Sequence, residues 1–253
     1  MARWKRIVLL AVGIGILAVW PARWAVQGLP ESFLAVEGGG AWPVHLAAEA
    51  TVAALLLWAA SGARPAALLA LGTVIYGSIN GLSYGIYGSA WHMGIVVAKL
   101  AAAVALSGAL LRTRTPSREA RSRWPGAVIA LVGAGMIAFW ALQSTVGGMM
   151  KDGPLTVEGS GYLLFHMIAE DTAGSIALLA GLGVLVRLRY AVRPALVGAG
   201  AVLYAALNSL GWAVLNDAAL GVIFVVCSLA MVLSAAGLWK AASADASAGR
   251  RAA

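Results

Sequence analysis

Residues 36–59 read VEGGGAWPVHLAAEATVAALLLWA, and residues 157–180 read VEGSGYLLFHMIAEDTAGSIALLA. The two stretches align without a gap, with ten identities in twenty-four positions. Each carries Glu, seven residues, His, three residues, Glu. The members are Glu37, His45 and Glu49 in one, and Glu158, His166 and Glu170 in the other. Each then runs into an apolar segment suited to crossing a bilayer as a helix, which takes ~20 residues. Ionisable groups at such depth are costly to place and mark a functional position.

The similarity extends in both directions. Gly13-Ile-Gly-Ile-Leu-Ala-Val-Trp20 parallels Gly133-Ala-Gly-Met-Ile-Ala-Phe-Trp140. Arg64-Pro65 parallels Arg193-Pro194, and Tyr76 with Asn80 parallels Tyr204 with Asn208. The chain therefore reads as a duplication, which sets the fold before any single element does.

Composition names the solvent. Of 253 residues, 61% are hydrophobic and 11% charged, against about 25% charged in soluble proteins. Apolar stretches near 7–26, 44–61, 65–84, 91–111, 125–146, 162–186, 194–213 and 218–239 predict eight spans. Helices are required because backbone groups in lipid must be satisfied within the segment. The alternating strands of a barrel are absent. The expected fold is all-α: eight transmembrane helices as two parallel four-helix repeats with pseudo-two-fold symmetry. The repeats are 1–111 and 125–240, joined by a basic cytoplasmic linker at 112–124 and followed by a disordered cytoplasmic tail at 241–253.

Charge gives the orientation. Fifteen of the 18 basic residues fall on the side that holds both termini. The positive-inside rule puts that side in the cytoplasm and predicts a multi-pass protein of a bacterial cytoplasmic membrane. The net charge of +8 is therefore a topology signal, with anionic lipid headgroups as its natural contact and no nucleic-acid partner. The basic, then apolar, N-terminus mimics a signal peptide, but its match to residues 133–140 argues that it is retained. Cys227 is the single cysteine, which excludes an internal disulfide and a cysteine metal cluster.

The same topology gathers the polar groups. Eight of the ten acidic residues, and all three histidines, fall on the outer side. His45 and Glu49, spaced i and i+4, share one helix face, as do His166 and Glu170. Tyr76 and Asn80, and Tyr204 and Asn208, lie near the outer ends of the third and seventh spans. His92 and Lys99 share a face of the fourth span, and Lys99 needs a carboxylate such as Glu49 or Glu170. Asp171 and Asp217 add to the acidic side. Gly77, Gly81 and Gly85 recur every four residues, a spacing that lets helices approach closely in lipid.

Three chemistries fit this set. The first is a divalent metal, Zn, Fe or Mn, held by Glu37, His45, Glu49, Glu158, His166 and Glu170, with Tyr76, Asn80, Tyr204 and Asn208 orienting them. His92 and Asp171 are further supporting residues. The second is metal-free acid–base work on a lipid or other apolar substrate, with catalytic candidates His45, Glu49, His166, Glu170 and Lys99. The third is proton-coupled transport. Haem ligation by His45 and His166 is the weaker cofactor reading, since four carboxylates would crowd an apolar macrocycle. A plainer reading stands beside all of these: buried His–Glu pairs can simply tie helices together.

The sequence His-x-x-x-Glu, apolar span, basic-Pro turn, Tyr-x-x-x-Asn helix resembles small four-span bacterial membrane proteins of uncharacterised function. This chain looks like a fused pair of them. A fainter likeness, carried by membrane-embedded His and Glu and by Ile75-Tyr76-Gly77, is to sterol-isomerase-type (EXPERA) membrane domains. The spacing from Glu49 to that segment is shorter here, and the first span carries no acid. That resemblance implies a small apolar ligand.

Overall fold

A computed structural model describes residues 1–27, 42–87, 90–111, 122–145 and 160–251. Its elements are α1 (Arg3–Gln27), α2 (Trp42–Ala60), α3 (Arg64–Tyr87), α4 (Ala90–Leu111), α5 (Trp124–Thr145), α6 (Ser160–Leu185), α7 (Val192–Asn216) and α8 (Ala218–Arg251). Among the described residues there are no strands. All eight helices are long and apolar enough to cross a membrane, within a few residues of the predicted spans. Glu37, Glu158, the loops at 28–41 and 146–159, and linker residues 112–121 lie outside the described residues.

Contacts divide the helices into two groups of four. The first closes through α1 with α2, α2 with α3, α3 with α4, and α4 with α1. The second closes in the same way through α5 to α8. The groups meet chiefly through α3, which packs on α6 and α7, and through α2 on α7. Apolar side chains such as Ile14, Val97, Val104, Leu131, Val222 and Leu229 point outward. In water such a surface would be a liability, but in lipid it is the solvated face.

The closest approach between the groups is backbone to backbone. A Cβ on Gly72 would lie 1.9 Å from the Val197 carbonyl oxygen, and one on Gly200 would lie 2.1 Å from that of Leu69. Only glycine permits this crossing. The Gly77, Gly81 and Gly85 stripe does something different. It faces the side chains of Lys99, Val96 and Met93 on α4, so its close packing lies within the first group and the contact between groups is made one turn earlier.

The turns that follow α2 and α6 solve one problem differently. After α2, Gly62 takes a left-handed conformation with φ +99°, and its N–H donates to the Ala59 carbonyl at 3.0 Å. After α6, Arg187 takes the left-handed place with φ +59°. There the Leu188 N–H reaches Gly183 at 2.8 Å and the Arg187 N–H reaches Val184 at 3.1 Å, the paired bonds that close a helix C-terminus.

α8 continues to Arg251, beyond the apolar segment that ends at Trp239 and into the stretch 241–253 expected as a tail. Five alanines between 241 and 248 explain it, since alanine is the strongest helix former and needs no lipid to be one.

Candidate functional site

The polar side chains that the sequence puts at one end of the bundle form a buried network spanning both groups of helices. Its first part centres on Glu49 of α2, which is 4% exposed. Lys99 of α4, 2% exposed, donates from Nζ to Glu49 Oε1 at 2.7 Å. It also donates to the Tyr204 hydroxyl of α7 at 3.2 Å. Tyr204 in turn donates to the same Glu49 Oε1. One carboxylate oxygen is thus fixed by an ammonium from its own group and a phenol from the other. Glu49 Oε2 is buried and has no hydrogen-bond partner among the described residues. A buried carboxylate oxygen left open is an exception that calls for a role.

Gly77 creates the space for this arrangement. A Cβ there would lie 2.9 Å from Lys99 Nζ. The Lys99 ammonium also sits 4.9 Å from the centroid of the Tyr204 ring, a favourable placement for a cation over an aromatic face.

The second part centres on Glu170 of α6, 6% exposed. His166 Nε2 lies 3.1 Å from Oε1. Ser209 donates to Oε1 at 2.7 Å, and Trp140 Nε1 donates to Oε2 at 2.8 Å. Both oxygens of this carboxylate are therefore occupied. The other ring nitrogen of His166, Nδ1, faces Asn80 Oδ1 at 3.0 Å and the Tyr76 hydroxyl at 3.3 Å, both from α3 of the first group. Asn208 is a further side-chain hydrogen-bond partner of Tyr76.

The His166 contacts carry a proton argument. Nε2 must bear a proton to donate to Glu170. With Asn80 presenting Oδ1, Nδ1 must donate too, which only the imidazolium can do. With the Asn80 amide turned over, its NH2 would donate to a neutral ring instead. The tautomer of the ring and the orientation of the Asn80 amide are therefore linked.

The two parts are continuous. The Tyr76 and Tyr204 rings pack with centroids 5.4 Å apart. The chain of contacts runs Lys99, Glu49, Tyr204, Tyr76, His166, Glu170. Each tyrosine serves the acid or histidine of the opposite group.

His45 and His92 occupy a neighbouring aromatic cluster. Trp20 meets His45 edge-on at 5.2 Å and His92 at 5.3 Å. Tyr84 stacks on His92 at 5.4 Å. Asp171 is half-buried, with Oδ1 lacking a hydrogen-bond partner among the described residues. Asp217 caps α8, accepting from the N–H groups of Ala219 and Leu220 at 3.0 and 3.2 Å. That is ordinary helix-start chemistry.

Sequence reasoning offers Glu49 or Glu170 to Lys99, and Glu49 is the one beside it; it gives Tyr76 and Asn80 as orienting the Glu and His residues without saying which, and both lie at His166. It misses Trp140 and Ser209, which hold Glu170. Tryptophans at span ends read as interfacial anchors, yet the matched places of Trp20 and Trp140 in the repeat carry the missing signal. Each packs edge-on against the histidine of its own group, Trp140 meeting His166 at 5.9 Å.

Among the described residues, no group of three or more His, Cys, Asp or Glu side chains is arranged to hold a metal ion. A six-ligand metal centre needs Glu37 and Glu158, which are outside the described residues. A family model described as a domain of unknown function (DUF8058) matches residues 125–248, from α5 into α8. No curated protein and no solved structure matches the chain.

Proposed function

We propose that the chain is a membrane-embedded acid–base protein acting on a lipid or other apolar substrate, with Glu49 as its proton acceptor. The carrying observation is the asymmetry of that carboxylate: Oε1 is fixed by Lys99 and Tyr204, while Oε2 is buried with no hydrogen-bond partner among the described residues. A carboxylate with one oxygen anchored and one uncommitted can accept a proton from a group brought against it. His166, set between Glu170 and Asn80, would hold the second proton. Tyr76 and Tyr204 would connect the two ends.

This reading takes the two groups of four helices as repeats about a pseudo-two-fold axis along the membrane normal. It takes the network as facing the outer leaflet of a bacterial cytoplasmic membrane, with both termini cytoplasmic. The matched positions of Gly72 and Gly200 at the crossing support the first point, and the distribution of basic residues supports the second. The EXPERA resemblance agrees with an apolar ligand.

Acid–base chemistry is favoured over a metal centre by charge. A divalent ion at Glu49 would sit beside the Lys99 ammonium, which already neutralises that carboxylate at 2.7 Å, and like charges in a low-dielectric site repel strongly. The test is elemental analysis and extract mass spectrometry on protein purified without chelator. The expected result is a co-purifying apolar molecule whose chemical form changes in Glu49→Gln, with no stoichiometric metal. Stoichiometric Zn, Fe or Mn, with stability lost in EDTA, would sink this reading in favour of the metal centre.

A further inference from the structure

A second feature lies outside the polar network. Between α1 and α4 an apolar groove of about 370 Å3 is lined by Gly15, Ile16, Val19, Trp91, Gly94 and Ala98, among others. Its floor is made of missing side chains: a Cβ on Gly15 or Gly94 would meet nothing within 4 Å. Both helices otherwise pack together and carry outward apolar residues. The groove thus lies within two membrane-spanning segments, where the surrounding medium is hydrocarbon.

Its dimensions suit one chain. Ala90 to Ala98 covers ~12 Å of helix at 1.5 Å per residue, close to the ~15 Å of one leaflet's hydrocarbon. The volume falls within the ~300–1,000 Å3 of ordinary ligand sites. Its rim is charged. Arg23 lies one turn beyond Val19 on α1, with its guanidinium 5.6 Å from the centroid of the Trp20 ring. Trp20 packs in turn on Ile95, another groove residue. Arg23 is the only basic residue that the topology puts at this end of the first group. A positive charge at the mouth of an acyl-sized groove complements a phosphate headgroup.

We infer that the groove between α1 and α4 holds one acyl chain of an anionic phospholipid of the outer leaflet, with its phosphate at Arg23. The inference rests on the proposed function in one respect, that apolar molecules reach this protein from the membrane, and it names the class of molecule. The groove reaches Ala98, the neighbour of Lys99, and Ile95, which packs on the Trp20 that contacts His45 and His92. A lipid seated there lies against the wall of the polar network.

The test is native mass spectrometry of the full chain, released from detergent after reconstitution with phosphatidylglycerol and phosphatidylethanolamine in equal amounts. The expected result is one tightly retained phosphatidylglycerol. Gly94→Leu, which fills open space and leaves helix packing intact, should reduce retention by about tenfold. Arg23→Gln should remove the preference for phosphatidylglycerol while leaving a retained lipid. Equal retention in wild type and Gly94→Leu overturns the inference, as does a lipid-free dimer that Gly94→Leu dissociates, since a second copy would then be the occupant. Glu49→Gln separates this from the functional reading. Unchanged retention of a chemically identical lipid in that variant leaves the groove standing and counts against acid–base chemistry on it. Loss of retention only in Gly94→Leu cannot come from the polar site.

Discussion

At Glu49 a lysine from α4 and a tyrosine from α7 converge on one carboxylate oxygen, and the other has no hydrogen-bond partner among the described residues, whereas at Glu170 a histidine, a serine and a tryptophan occupy both. The two acids stand at equivalent places in the repeated sequence. One is met by the lysine Nζ at 2.7 Å, the other by a histidine ring nitrogen at 3.1 Å. Matched in sequence, the two acids are set apart by their neighbours. Lysine makes the difference: the second half of the chain has Lys151 and Lys240 and none within a span.

The contrast is broken most severely at the charged pair. Glu49→Gln strands the Lys99 ammonium in the interior and should cost about 3–5 kcal/mol, the usual penalty for orphaning one member of a buried ion pair. Glu170→Gln keeps an acceptor for Ser209 or Trp140 and should cost about 1.5–3 kcal/mol, the range for a hydrogen bond to a charged group. Reversible unfolding in bicelles compares them, and equal losses would erase the distinction. The double variant Glu49→Leu/Lys99→Met should recover much of the stability lost by Glu49→Gln, since well-packed apolar residues often replace a buried pair at no cost.

Next in size is the contact between groups. Gly72→Ala forces a Cβ into the Val197 carbonyl and should destabilise by about 1–3 kcal/mol through overpacking. Gly15→Ala, with open space around it, should be stabilising or neutral because alanine favours helix. Similar values for the two would mean that the halves do not meet at Gly72.

The tyrosines should differ less. Tyr204→Phe removes a donor to a carboxylate and should cost about 1.5–3 kcal/mol, whereas Tyr76→Phe removes neutral contacts and should cost about 0.5–1.5 kcal/mol. The smallest effect belongs to the turns. Arg187→Gly should stabilise by about 1 kcal/mol, the cost of holding a residue with a Cβ in the left-handed region, while Gly62→Ala at the equivalent turn should destabilise by a similar amount. The same thermal unfolding assay reads all four.

Spans were legible in the sequence because lipid imposes one rule on every segment, apolar length. Lys99 was legible as a residue that needed an acid at its depth, and i, i+4 spacing put His166 beside Glu170. What remained hidden depended on rotation about helix axes. Span positions do not say whether the Gly77 stripe faces α4 or α7, nor that the crossing occurs at Gly72. Hydropathy reads Trp140 as an anchor because it scores the indole ring and ignores the direction of its N–H. The α8 extension escaped because an apolar window ends where lipid ends, and helix need not.

The crossing of α3 and α7 has a mechanical consequence. Gly72 lies one turn before Tyr76, about 6 Å along the axis. The two backbone approaches at Gly72 and Gly200 hold α3 and α7 at a fixed crossing beside the tyrosines. A tilt of about 10° over that ~6 Å arm would shift the tyrosine hydroxyls by about 1 Å, more than hydrogen-bond geometry tolerates. The Tyr76 and Tyr204 contacts are therefore sensitive to the angle at which α3 and α7 cross.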